Sequence, residues 1–93
     1  MVSPMIVGTT AIVAIPKNRN REDVRFQNVG ASFLYFTRYP IIPTYTNYEF
    51  IIGPPIVGEI NEAIITTNST AQFNVISNLP GGILAIYETN KIR

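Results

Sequence analysis

The sequence predicts an all-β fold, a single small antiparallel β-sandwich of about seven strands, and three observations carry that expectation. Isoleucine occurs 15 times and leucine 3 times, and Ile, Val, Thr, Tyr and Phe together supply 41 of the 93 residues. β-Branched and aromatic side chains lose rotamer freedom in a helix but pack well on a pleated surface. Seven Pro and six Gly are scattered along the chain and leave little room for helices longer than a few turns. Turn signals recur about every eight to twelve residues, the spacing of a sandwich or small barrel.

At this length the chain is one domain, residues 1–93, with a modest core that buries roughly 60–65% of the surface of the unfolded chain. Taken in order, residues 5–15 form the first strand candidate, stopped by Pro16. Residues 16–21 read as a polar, basic loop. From Glu22 to Asn28 the pattern alternates, with Val24 and Phe26 facing in and Asp23, Arg25 and Gln27 facing out, which marks a half-buried strand. Gly30 sits in a turn. Residues 32–38 are apolar on both faces, so they predict a central strand or one covered on its second face. Pro40 and Pro43 make residues 39–46 an extended connection. Tyr48, Phe50 and Ile52 then fall on one face of the next strand. Residues 56–67 read as a longer strand or a bent pair of strands with Gly58 as a bulge site, and Ile60 to Ile65 has room for one helical turn. Strands at 70–77 and 82–88 complete the set, separated by Asn78-Leu-Pro-Gly-Gly82, whose neighbours suit a hairpin turn.

Several chemistries are excluded by composition. There is no Cys and no His, so neither a thiolate nucleophile nor the usual general base near neutral pH is present, and the Ser-His-Asp and Cys-His triads, zinc-finger sites and most catalytic zinc sites go with them. Glu59 and Glu62 are a close carboxylate pair, but on a strand residues three apart point to opposite faces, which suits surface charge better than glycoside hydrolysis. Gly81-Gly82 lacks the context of a phosphate loop. The expectation is a non-enzymatic protein without cofactor or metal. The apolar amino-terminal stretch has no basic residue before it, and Pro4, Thr9 and Thr10 interrupt it, so a strand is favoured over a signal peptide or membrane segment. Asn68-Ser69-Thr70 matches a glycosylation acceptor and reads as a polar turn.

Charge divides unevenly. Lys17, Arg19, Arg21 and Arg25 are four of the seven basic residues, whereas residues 39–90 hold Glu49, Glu59, Glu62 and Glu88 and no basic residue. A chain so divided suits head-to-tail packing on copies of itself or on a larger assembly; a solvated loop is the plainer reading. Tyr39, Tyr45 and Tyr48 flank the Pro-rich connection and suit a binding face, because Tyr offers large contact area at low entropic cost. Candidate partner-binding residues are therefore Ile6, Val7, Ile12 and Val13 in the apolar stretch, Lys17, Arg19 and Arg21 in the basic loop, and Tyr39 and Tyr45 in the connection. Residues 1–15 would attach by adding a strand to a partner's sheet edge; the competing expectation is that residues 5–15 are simply a core strand.

Three further stretches carry a resemblance. Residues 21–36 run from a charged start through an alternating strand and an Asn-containing turn to an apolar strand. Phe50-Ile-Ile-Gly-Pro-Pro-Ile-Val-Gly-Glu59 leads a strand into a Pro/Gly turn. Phe73-Asn-Val-Ile-Ser77, the Pro-Gly-Gly turn and Ile83-Leu-Ala-Ile-Tyr-Glu88 close the chain. Over residues 9–88 this resembles the small β-sandwich accessory proteins of tailed bacteriophage virions, which decorate the capsid or sit at the head–tail junction. The resemblance implies a structural virion protein, made in the host cytoplasm, that binds capsid or portal subunits in multiple copies and stabilises them. It supplies no catalytic residue. The alternatives are a carbohydrate- or receptor-binding module using the tyrosines of residues 39–48, and, less expected, a nucleic-acid-binding domain using residues 17–25.

Overall fold

The structure is a computed structural model and describes residues 4–55, 61–65 and 70–91. Among the described residues it contains eight strands: β1 (Met5–Val7), β2 (Ile12–Ile15), β3 (Arg21–Asn28), β4 (Leu34–Arg38), β5 (Phe50–Ile52), β6 (Glu62–Ile65), β7 (Phe73–Ser77) and β8 (Gly82–Asn90). They form two antiparallel sheets, ordered β1-β8-β3-β6 and β2-β7-β4-β5. The pairings β1 with β8, β2 with β7, β3 with β6 and β4 with β5 nest inside one another. The chain is thus one long two-stranded ribbon with its tip at the β4–β5 connection. Pairing of β3 with β8 and of β4 with β7 rolls that ribbon into two layers. An eight-stranded ribbon rolled in this way is a jelly roll, a form of β-sandwich.

The core lies between the layers. β3 alternates as its sequence predicts, with Val24 and Phe26 fully buried and Arg25 and Gln27 half-buried on the outer side. Phe26 crosses to the second sheet, where its ring lies 4.9 Å from Phe36 and 5.3 Å from Phe73; Phe36 stacks on Phe50 at 4.8 Å. Burying each such side chain contributes about 1.5–3 kcal/mol. Leu34, Ile52, Val75 and Leu84 fill the remaining space.

Two buried polar side chains tie the ends of β3 to the opposite sheet. Arg21, only 1% exposed, donates from Nε to Glu88 on β8 at 2.8 Å and from its terminal nitrogens to the carbonyls of Ala71 (3.0 Å) and Pro16. At the other end, Asn28 Nδ2 donates to the carbonyls of Ser32 (2.6 Å) and Ile52 (3.1 Å), and its Oδ1 accepts from the Gly30 amide. A Cβ on Gly30 would lie 2.9 Å from the backbone nitrogen of Ile83, so the β3–β4 corner has room only for glycine.

Several expectations are revised. Residues 5–15 are two strands, because the chain bends at Thr9 and Thr10 and passes from one sheet to the other. Val7, Ala14 and Ile15 are core residues, so the expectation of a core strand describes this segment and a free terminal arm does not. The Asn78–Gly82 turn is a corner between sheets rather than a hairpin: β7 and β8 do not pair, and Gly81 (φ 79°) turns the chain there. Tyr48 does not share a face with Phe50 and Ile52. Its ring rests on Tyr35, on the outer side of the sheet. Glu62–Ile65 is extended and pairs with β3, so no helical turn forms there. Gly58, Glu59, Asn68 and Ser69 lie outside the described residues.

Candidate functional site

The connection from Tyr39 to Glu49 folds back over the outer face of the β2-β7-β4-β5 sheet as a strap. Its hydrogen bonds fix it in place. The Tyr39 amide donates to the carbonyl of Gln72 at 2.9 Å, and the Ile41 carbonyl accepts from Thr37 Oγ1 and from Asn74 Nδ2. The Tyr45 hydroxyl donates to the Ser77 carbonyl at 3.0 Å. Tyr45 and Tyr48 both meet Tyr35 edge-on, with ring centroids 5.4 and 5.0 Å away. The strap is the cover on the second face of β4 that the apolar sequence of residues 32–38 demands. It also explains why every residue of β7 is buried.

The strap stops short of β2, an edge strand. Between them lies a hollow of about 230 Å³, walled by Ile12 and Val13 on one side and by Tyr39, Pro40 and Ile42 on the other, with Gln72 and Asn74 between. A second hollow of about 310 Å³, bounded by Lys17 and Ala71, adjoins it through Tyr39 and Gln72. Tyr39 is 67% exposed, Ile42 62% and Val13 46%, so the rim is apolar and open.

The structure therefore gathers four of the candidate binding residues, Ile12, Val13, Lys17 and Tyr39, at one place. Arg19 is exposed on the same loop as Lys17. Tyr45 belongs to the strap, where its hydroxyl is engaged internally and its ring rests edge-on against Tyr35 while keeping an exposed face. Ile6 is exposed on the outer side of the other sheet, away from the hollow. Val7 is fully buried in the core and Arg21 is held inside by Glu88 and two carbonyls, so neither presents a surface to a partner. Tyr45 and Tyr48 pack edge-on against Tyr35 and stay 47% and 42% exposed, while Tyr39 is 67% exposed. Gln72 and Asn74 were not singled out by sequence reasoning. The signal was there, since Asn74 is a polar residue amid the apolar β7, where it holds the strap.

Three of the four glutamates of residues 39–90 pair with arginines within the molecule, and the fourth, Glu59, lies outside the described residues. Glu49 pairs with Arg38 (3.2 Å), Glu62 with Arg25 (3.7 Å) and Glu88 with Arg21 (2.8 Å). The hydrogen bond from Arg21 holds the Glu88 carboxyl below the usual glutamate range, against an opposing pull from burial. Lys17 and Arg19 have no ion-pair partner among the described residues. On the outer face of the other sheet, Arg25 lies over the Tyr87 ring at 3.9 Å beside exposed Ile64. Among the described residues, no three His, Cys, Asp or Glu come together to hold a metal ion, and no helix is long and apolar enough to cross a membrane. Comparison of the chain with protein-family models, curated proteins and solved structures gives no match.

Proposed function

We propose that this chain is a non-enzymatic structural protein of a virus particle that binds capsid or portal subunits in multiple copies and stabilises them. The observation that carries the reading is the open apolar rim of Val13, Tyr39 and Ile42, with Lys17 bounding the adjoining hollow and Arg19 exposed on the same loop, neither cation ion-paired among the described residues. Apolar surface gathered in one place on a small domain marks an interaction site, and side chains of this kind bind rather than catalyse. The sequence has neither His nor Cys to supply a general base or a nucleophile. The virion reading draws on the resemblance of residues 9–88 to the accessory proteins of tailed phages. The jelly roll is compatible with it, being common to viral capsid and lectin domains, but a fold by itself assigns no function. Quantitative mass spectrometry of purified particles from the virus encoding the chain tests the proposal. The chain is expected there in a fixed ratio to a capsid or portal subunit. Its absence from particles, with the chain found free in the lysate, would overturn the reading.

A further inference from the structure

We infer that the hollow between Val13 and Ile42 receives an apolar side chain from an acidic segment of a different protein, whose carboxylates pair with Lys17 and Arg19. This rests on the binding role proposed above and names the chemistry of the partner. The hollow holds about 230 Å³ and stands open at its rim, where Val13, Tyr39 and Ile42 are exposed. It suits one inserted side chain, the usual anchor of a protein interface. Its walls, Ile12, Val13, Pro40 and Ile42, are apolar. The adjoining hollow brings Lys17 to the same rim through Tyr39 and Gln72.

Charge decides the rest. Lys17 and Arg19 stand exposed without a carboxylate partner among the described residues. Among the described residues, Glu49, Glu62 and Glu88 are each held by an arginine of their own chain and Glu22 is engaged as well, so a second copy offers the hollow a single carboxylate, Asp23, for two cations. The complementary carboxylates are therefore placed on a foreign chain, where Arg19 can grip one bidentately. Strand addition at β2 is disfavoured. The strand has four residues and its register with β7 shifts between Val13 and Ile15, and short, irregular edges resist pairing. A nucleic acid fits less well, because Arg21 is buried and the walls of the hollow are apolar.

The test presents the immobilised full chain to a displayed library of short random peptides, with the Lys17→Glu/Arg19→Glu double variant and the Ile42→Asp variant alongside. All three substituted side chains are exposed, and circular dichroism verifies that each variant keeps the fold. Enriched peptides are expected to combine a large apolar residue with nearby Asp or Glu. Their affinity should fall about tenfold or more in the double variant and likewise in Ile42→Asp. The inference is overturned if no peptide is enriched, if enriched peptides lack acidic residues, if they bind the double variant equally, or if random-sequence duplex DNA binds the native chain more tightly than they do. Particle composition is read separately. A chain present in particles that selects no such peptide sinks this inference alone, whereas acidic peptides bound by a chain absent from particles sink the virion reading alone.

Discussion

Arg21 Nε donates to Glu88 Oε2 at 2.8 Å, and the arginine side chain is fully enclosed while the glutamate keeps an edge in solvent. The pair joins β3 to β8, and the rest of the guanidinium reaches the carbonyls of Ala71 and Pro16, which flank strands of the opposite sheet. One residue thus closes one end of the sandwich. Replacing Arg21 with Met should cost about 3–5 kcal/mol, because a partly buried carboxylate and two carbonyls lose their donor together. Arg21→Lys should fall between, since an ammonium cannot serve all three acceptors. Urea unfolding checks both; a loss below about 1 kcal/mol for Arg21→Met would remove the clamp from the account.

The same pair sets an acid limb of stability. The Glu88 carboxyl lies below its ordinary value in the folded chain, so under acid conditions the unfolded chain binds more protons. Its stabilising contribution is fully present above about pH 4.3, the ordinary glutamate value, and is lost as pH falls through the folded value. Glu88→Gln should be less stable than the native chain near neutral pH and should lose less on acidification. Parallel urea titrations across the acid range measure this. Identical pH profiles for the two chains would contradict the assignment.

Gly30 and Gly8 provide a paired test of packing. A Cβ on Gly30 meets the Ile83 backbone at 2.9 Å, whereas one on Gly8 meets nothing within 4 Å. Gly30→Ala should destabilise by about 1–3 kcal/mol, and Gly8→Ala should stay within about 0.5 kcal/mol. Equal thermal midpoints for the two variants would place the β3–β4 corner differently.

Deleting residues 1–15 should unfold the domain, because it removes β1 and β2 with Val7, Ala14 and Ile15 from the core and exposes the edges of β8 and β7. Loss of the β-type circular dichroism signal is the expected result. A folded, truncated chain would instead revive the view of this segment as a detachable arm.

Sequence patterning reached the strands and the layer count but not the path between the layers. Alternation at Val24, Arg25 and Phe26 is local chemistry, and it reads directly as one buried face. The two-sided apolar character of residues 32–38 likewise pointed to a cover, which Tyr45 and Tyr48 supply from the strap. The crossings were not legible, because Pro80-Gly81-Gly82 turns a hairpin and a sheet-to-sheet corner with the same residues. Periodicity also joined residues 5–15 into one strand, since the bend at Thr9 and Thr10 interrupts pairing without ending the apolar run. Arg21 looked like its exposed neighbours Lys17 and Arg19. Only the fold brings Glu88, distant in sequence, against it. The hollow was half legible: Ile12, Val13, Lys17 and Tyr39 were each singled out, but their meeting depends on the strap crossing β7 through Asn74, a long-range contact no local pattern carries.

Cryo-electron microscopy of particles carrying the chain is the measurement that bears most directly on its proposed role. Repeated copies of the jelly roll are expected, each with the β2 edge and the Tyr39–Ile42 segment seated against a neighbouring subunit of different sequence, and with acidic residues of that subunit beside Lys17 and Arg19. Copies seated instead through the opposite sheet, with Ile6, Ile64 and Tyr87 buried and the strap facing solvent, would contradict it.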